Sequence, residues 1–165
     1  MIDRRGLILS TLNAMLPALQ IPTSWGPIPV ENYVHNRNEL TEERRPGVIL
    51  LDGDETGDPR VPVPVPGRSP SIMPRMMRMT PEIYVVMDDR KPQNIGITED
   101  LALARSVIVK AILTHPTLLD AVTTNGQIIY EGCVTDFARN RTNEGQMGLL
   151  FEFVYPFIPG EILLG

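Results

Sequence analysis

The sequence predicts an α+β fold: a mixed or mostly antiparallel sheet covered by helices, with a Pro-rich extended arm or hairpin. Three observations predict it. Met147, Leu149, Phe151, Phe153 and Tyr155 recur with period two near the end of the chain, so they share one face of a strand. Leu101, Ala104, Ile108, Ala111 and Ile112 recur at helical spacing and place a helix over 98–114. Between two strand-like runs, Pro59, Pro62, Pro64, Pro66, Pro70 and Pro74 concentrate in one segment, where a central strand is excluded because proline has no ladder donor.

The elements follow in order. Residues 3–19 read as a helix with Leu7, Ile8, Leu12, Met15 and Leu19 on one broad face; Asp3 favours its start, and Pro17 and Pro22 end it. Residues 20–33 hold three prolines, Gly26 and the single tryptophan, Trp25, and read as an ordered loop. A short strand begins near Tyr33, and Val48–Leu51 is a short buried strand. The acidic turn Asp52–Asp58 follows, and the alternating Val-Pro run at 61–66 suits an arm or the tip of a long hairpin. Met77, Met79, Pro81, Ile83, Val85 and Met87 alternate with Arg78, Thr80, Glu82, Tyr84 and Val86, a strand whose Pro81 implies an edge or a bulge. Thr98 can cap the second helix, with Glu99 and Asp100 in its first turn. His115-Pro116 breaks it, a short third helix runs through Leu118, Leu119 and Val122, and two final strands flank a polar loop at 138–146. Strands linked this closely favour antiparallel pairing. The whole, residues 1–165, reads as a single domain with a projecting arm at about 52–80.

Composition narrows the function. At 165 residues and 42% apolar content the chain can bury a core. Its net charge of −5 and lack of a Lys/Arg block argue against a phosphate-backbone footprint. Cationic charge is almost all arginine, with Lys91 and Lys110 the exceptions; arginine suits planar pairing with carboxylates. Cys133 is the single cysteine, so neither an internal disulfide nor a cysteine-rich zinc site can form. The start lacks a signal-peptide shape and no run approaches transmembrane length, so a soluble protein made inside a cell, with no membrane partner, is expected.

Candidate chemistry is thin. Asp52, Asp54, Glu55 and Asp58 suggest a cation loop, but counting from Asp52 the twelfth position is Val63, where a calcium loop needs a bidentate glutamate. His35 and His115 are too few for a His/Cys cluster. No phosphate loop, nucleophile elbow, kinase or redox motif is present. The expectation is a non-enzyme with no catalytic residue, cofactor or metal. Arg139 and Arg141 occupy the polar loop between the last strands, as exposed residues or as partner contacts. Met73, Met76, Met77 and Met79 cluster beside the arm and suit either strand core or an adaptable contact.

The N-terminal Arg4-Arg5 to Leu19 helix, Val34–Asn38, Pro46–Glu55, Arg78–Val86, the 98–114 helix and the final strand pair together resemble the tail terminator, or minor tail protein U-like, family of long-tailed bacteriophages. The resemblance spans most of the chain through short structural motifs. It implies an α+β subunit of a homo-oligomeric ring, commonly a hexamer, in the virion at the head-proximal end of the tail. The ring caps the growing tail tube and presents the surface that joins tail to head. Its partners would be copies of itself, the tail tube protein and a head completion or connector protein, with DNA passing through the lumen without specific binding. Under this resemblance Asp52, Asp54, Glu55, Met76, Met77, Arg139 and Arg141 are candidate subunit or partner contacts. A different neck or connector component is the alternative, and a small metal-dependent hydrolase built on the acidic turn is a third reading.

Overall fold

The computed structural model describes residues 3–23, 26–37, 39–40, 46–57, 62–64, 72–88, 97–123, 125–137, 144–158 and 160, with backbone alone at 62–64, 72–74, 88, 137 and 144. The chain is an α+β protein in which, among the described residues, three α-helices cover one face of a mixed, mostly antiparallel sheet.

Helix α1 (Arg4–Met15) starts where Asp3 accepts a hydrogen bond from the Gly6 amide at 2.7 Å, satisfying one otherwise orphaned donor. Ile8, Leu9 and Leu12 face the core, and Pro17 tightens the end into a short 3-10 turn at Leu16–Ala18. Strands β1 (Gln20–Thr23) and β2 (Gly26–Pro29) then pair as a hairpin, where the sequence reads as a loop. The prolines conceal it. Pro22 faces Pro27, and Pro29 faces Gln20. A proline pair cannot exchange ladder bonds, so those bonds run through Ile21 and Ile28, and the prolines take the alternate, outward positions. Ile21 is fully buried in the core, and β1 packs on the second helix. Trp25 lies outside the described residues.

Strand β3 (Asn32–His35) lies parallel to β4 (Gly47–Leu51) and forms one edge of the main sheet. After β4 come β5 (Glu55–Gly57), β6 (Pro62–Pro64), β7 (Ile72–Pro74), β8 (Met76–Met79) and β9 (Glu82–Asp88). β5 pairs antiparallel with β8, and β6 with β7, so the described parts of the Pro-rich arm are hairpin strands; 58–61 and 65–71 lie outside the described residues. Pro62, Pro64 and Pro74 again flank a single bonded pair, Val63 with Met73, leaving the outward positions of β6 without donors.

β8 and β9 form one line. Both pair with the last strand in a single register, Pro156 against Met76 through to Glu144 against Asp88, and only Thr80-Pro81 interrupts the ladder. The line lies inside the sheet, with β4 and β5 on its other side. Pro81 therefore marks neither an edge nor a bulge of its own strand. The bulge is in the neighbour: Asp52, Gly53 and Asp54 stand against Thr80 and Pro81, one residue more than the register needs. Gly53 has φ +69°.

Helix α2 (Ile97–Thr114) buries Leu101, Ala104, Ile108 and Ile112, the expected stripe. Thr98 lies within it and does not serve as its cap. Helix α3 (Pro116–Val122) starts with proline at its first position, where the missing amide costs nothing. His115 precedes it in an extended conformation and makes no side-chain bond to its first turn, while its backbone amide donates to the Ile112 carbonyl at the end of α2. β10 (Gln127–Phe137) and β11 (Glu144–Pro156) form the closing pair, with a bulge between Tyr130 and Gly132. Met147, Leu149, Phe151, Phe153 and Tyr155 all face the helices and are buried. Met79, Ile83, Val85 and Met87 extend that inner face, and Val48 and Leu50 complete it. Among the described residues no single helix is long and apolar enough to cross a membrane.

Candidate functional site

The described carboxylates of the acidic turn, Asp52, Asp54 and Glu55, point to different partners, and Asp58 lies outside the described residues. Asp52 turns toward β3, where its Oδ1 lies 2.5 Å from His35 Nε2 and its Oδ2 accepts from Asn36 Nδ2 at 2.9 Å. Its own amide donates to Asn36 Oδ1 at 3.0 Å, so the two side chains grip each other. The chain of bonds continues through His35 Nδ1, 2.9 Å from Asn13 Nδ2, and on to the Tyr33 hydroxyl, which donates to Asn13 Oδ1. Donors and acceptors close when the neutral His35 proton sits on Nε2. This relay pins α1 and β3 to the bulge at the root of the arm. Burial, followed by the negative Asp52, pushes the Tyr33 hydroxyl up to about 12. For Asp52, burial is the largest single influence and acts upward. The hydrogen bonds from Asn36 and His35 and the charges of His35 and Arg5 together outweigh it and leave the carboxyl below its ordinary 3.8.

A folded-state value below the unfolded one means that Asp52 contributes stability above the ordinary 3.8, and that this contribution is lost as pH falls through the lowered folded value. Asp52→Asn removes the titration. Urea melts of the two proteins are expected to differ near neutral pH and to converge as the medium is acidified below the ordinary carboxylate range.

Glu55 turns the other way, onto the helix face. It accepts from the Tyr155 hydroxyl and lies 3.8 Å from Arg5 Nε. Burial and then the Glu55 hydrogen bond raise the Tyr155 hydroxyl far above its ordinary range, so it stays a donor. Asp3, Arg4, Arg5, Glu55, Tyr155 and Phe157 line an open cleft of about 320 Å³ here. Tyr155→Phe is expected to cost about 1 kcal/mol in thermal or urea unfolding, the net worth of one such bond. Asp54 is exposed and engages through its backbone, its carbonyl accepting from the Thr80 amide at 3.1 Å.

Of the two methionines singled out, Met77 packs on the core and Met76 is buried on the opposite face. Arg139 and Arg141 lie outside the described residues. Among the described residues, no group of three or more His, Cys, Asp and Glu is placed to hold a metal ion.

The face of the sheet away from the helices carries residues that the sequence did not single out. Ladder partners bring Ile49, Tyr84, Gly148 and Val134 into one row and Leu51, Glu82 and Leu150 into the next. Tyr84 lies across β11: a β-carbon on Gly148 would come within 2.9 Å of the ring. The Tyr84 hydroxyl donates to Glu82, which together with partial burial raises its pKa. Ile49, Leu51, Tyr84 and Gln146 line a shallow cleft of about 230 Å³. Further along, Glu152 is only 4% exposed and is covered by Arg78, which pairs with it. These residues are the polar and aromatic members of the same alternating runs that supply the core. Their phase alone marks them as an outward row.

The fold and these clusters define a class: an α+β chain whose Asp52, Glu55 and Glu152 carboxylates are tied into structural bonds, with helices packed on one sheet face and a Pro-rich segment paired as hairpin strands. The chain matches no protein-family model and no curated protein.

Proposed function

We propose that the chain is a structural, non-catalytic virion protein. In this reading it forms a ring that caps a phage tail tube, ends tube polymerisation and presents the head-joining surface. The observation that carries the reading is the arm. Among the described residues, the β6–β7 ladder pairs with no other strand and stands as its own two-stranded element beside the main sheet. A ring of identical subunits needs an element of this kind that can meet an unlike surface of the neighbour, because the subunits join head to tail. The family resemblance supplies the identity of the assembly. The acidic turn supports a non-enzymatic role, since Asp52 and Glu55 diverge into separate clusters that brace the arm's root.

Electron microscopy tests the reading directly. Purified protein added to isolated tail tubes is expected to form a ring at one end and to stop further tube growth. Binding to filled heads and not to tubes would favour the neck or connector alternative. Failure to bind either would overturn the proposal.

A further inference from the structure

We infer that the outer edge of β10 is a strand-docking site, at which Arg105, Tyr130 and Cys133 receive a carboxylate side chain carried by an extended segment of a partner protein. The inference goes beyond the proposed function and stands whether or not the chain caps tubes. Three observations carry it.

The first is an unfilled ladder. Among the described residues β10 pairs with β11 alone, over nearly its whole length. In an antiparallel pair only alternate residues exchange bonds with the partner strand, so the others turn their amides and carbonyls outward. Among the described residues no backbone bond outside the β11 ladder reaches Gln127–Phe137. The bulge beside Glu131 interrupts this edge, but from Gly132 to Phe137 the register is unbroken. The side chains are open as well. Glu131, Val134, Thr135 and Asp136 are exposed, Val134 at 65%. On the helix side, Ile128, Tyr130 and Cys133 pack on the core yet are only partly buried. A further strand would fill the outward ladder and finish covering that row.

The second is a group of donors without an acceptor. Arg105, exposed on α2, reaches over the edge and places Nη1 3.9 Å from Cys133 Sγ. Its neighbours are Cys133 and Tyr130, and it pairs with no carboxylate among the described residues. The Tyr130 ring is held against Phe151, with centroids 5.3 Å apart. Its hydroxyl is buried and has no hydrogen-bond partner. Burial, followed by Cys133, pushes that hydroxyl above its ordinary value, so it keeps its proton. A guanidinium, a phenol and a thiol therefore stand together as donors, and a buried hydroxyl left unmatched is costly. A carboxylate can accept from all three, and its bonds to arginine are charge-assisted and planar.

The third is the source of that carboxylate. Opposite the core residues of β11, the helix side of β10 holds Ile128, Tyr130, Cys133 and Thr135, none of them acidic. A second copy pairing through β10 would bring another Arg105 and no acid. The other edges of the main sheet, β3 and β5, present Tyr33, His35 and Glu55 on that side, and Glu55 is already held by Tyr155. No described edge of a second copy supplies a free acid, so the occupant is a strand of a different protein. That strand carries one acidic side chain between apolar ones on the same face.

The probe is a capped peptide, Thr-Val-Thr-Glu-Thr-Val-Thr, whose Val and Glu side chains share one face. It is compared with a counterpart carrying Lys in place of Glu, and with a form N-methylated at alternate residues, which cannot complete a ladder. Binding to the full native chain is read by fluorescence anisotropy. Coverage of the edge is read by the rate at which a maleimide labels Cys133, the single cysteine. The acidic peptide is expected to bind and to slow labelling about tenfold, and the other two to bind at least about tenfold more weakly. Arg105→Gln changes an exposed side chain and should leave the fold intact. It is expected to erase the difference between the acidic and lysine peptides. Tyr130→Phe, which keeps the ring and removes the hydroxyl, is expected to weaken the acidic peptide and not the lysine one.

Equal binding of the acidic and lysine peptides, undiminished binding of the N-methylated form, or no binding at all would overturn the inference. So would a native chain that self-associates with Cys133 protected before any peptide is added and that Arg105→Gln dissociates, since the edge would then belong to a second copy.

Discussion

Replacing Gly53 with alanine is expected to lower the unfolding free energy by about 2–4 kcal/mol, a large share of a small protein's stability. Two costs add at this position. The backbone sits at φ +69°, a region that disfavours any side chain with a β-carbon. A β-carbon would also collide with the Thr80 carbonyl, which is backbone in the central line of the sheet and cannot swing aside as a side chain can. The bulge must open to admit it, and the Asp54 carbonyl then loses its bond from the Thr80 amide. Because the bulge is the root of the arm, the variant should lose assembly before it loses secondary structure. Chemical denaturation followed by far-ultraviolet dichroism, with sedimentation at each denaturant concentration, measures both. A Gly53→Ala protein as stable as the wild type would show that the bulge is not built as described.

Phe153→Ala is expected to cost about 3–5 kcal/mol, the usual loss for an aromatic side chain removed from a closed core. Phe153 is 0% exposed, stands opposite Met79 and Ile128, and belongs to the same buried row as Phe151. The sheet around it is held from both sides, by β10 and by β8, so the cavity cannot collapse easily. Phe153→Leu keeps most of the volume and should cost about 1 kcal/mol. A calorimetric melt of the three proteins gives the ranking. Equal losses for leucine and alanine would point to aromatic geometry, not volume, as the source of the stability.

The legible part of this fold is the part written in phase. The odd-numbered residues from Met77 to Met87 and from Met147 to Tyr155 are apolar, and both rows are buried against the helices. The α2 stripe and the break at Pro116 are local patterns and are found where the sequence puts them. Proline misled in two places for one physical reason. In a ladder only alternate residues exchange bonds, so proline with period two is compatible with pairing, and Gln20–Pro29 forms a hairpin. At Pro81 the missing donor is absorbed by an extra residue in the neighbouring strand, so the line stays inside the sheet. The polar clusters were not legible, because their members are remote in sequence. Tyr155 and Glu55 are 100 residues apart, and Glu152 and Arg78 are 74 apart. Nothing local in the acidic turn says that Asp52 goes to His35 while Glu55 goes to Tyr155.

Helix α1 has a further consequence, for the order in which the molecule is made. It leaves the ribosome ahead of the strands it packs on, yet its Arg4 guanidinium reaches the Ala121 carbonyl, 117 residues later, and its inner face meets strands that close only with β11. A short helix without a docking surface is marginal in water. A helix translated before its docking surface is therefore among the last elements to acquire protection. Contacts of this separation make folding slow relative to a bundle of the same size. Pulse-labelled hydrogen exchange should find the β10–β11 amides protected early and the α1 amides late. The opposite order would mean that α1 finds a temporary partner before the sheet exists.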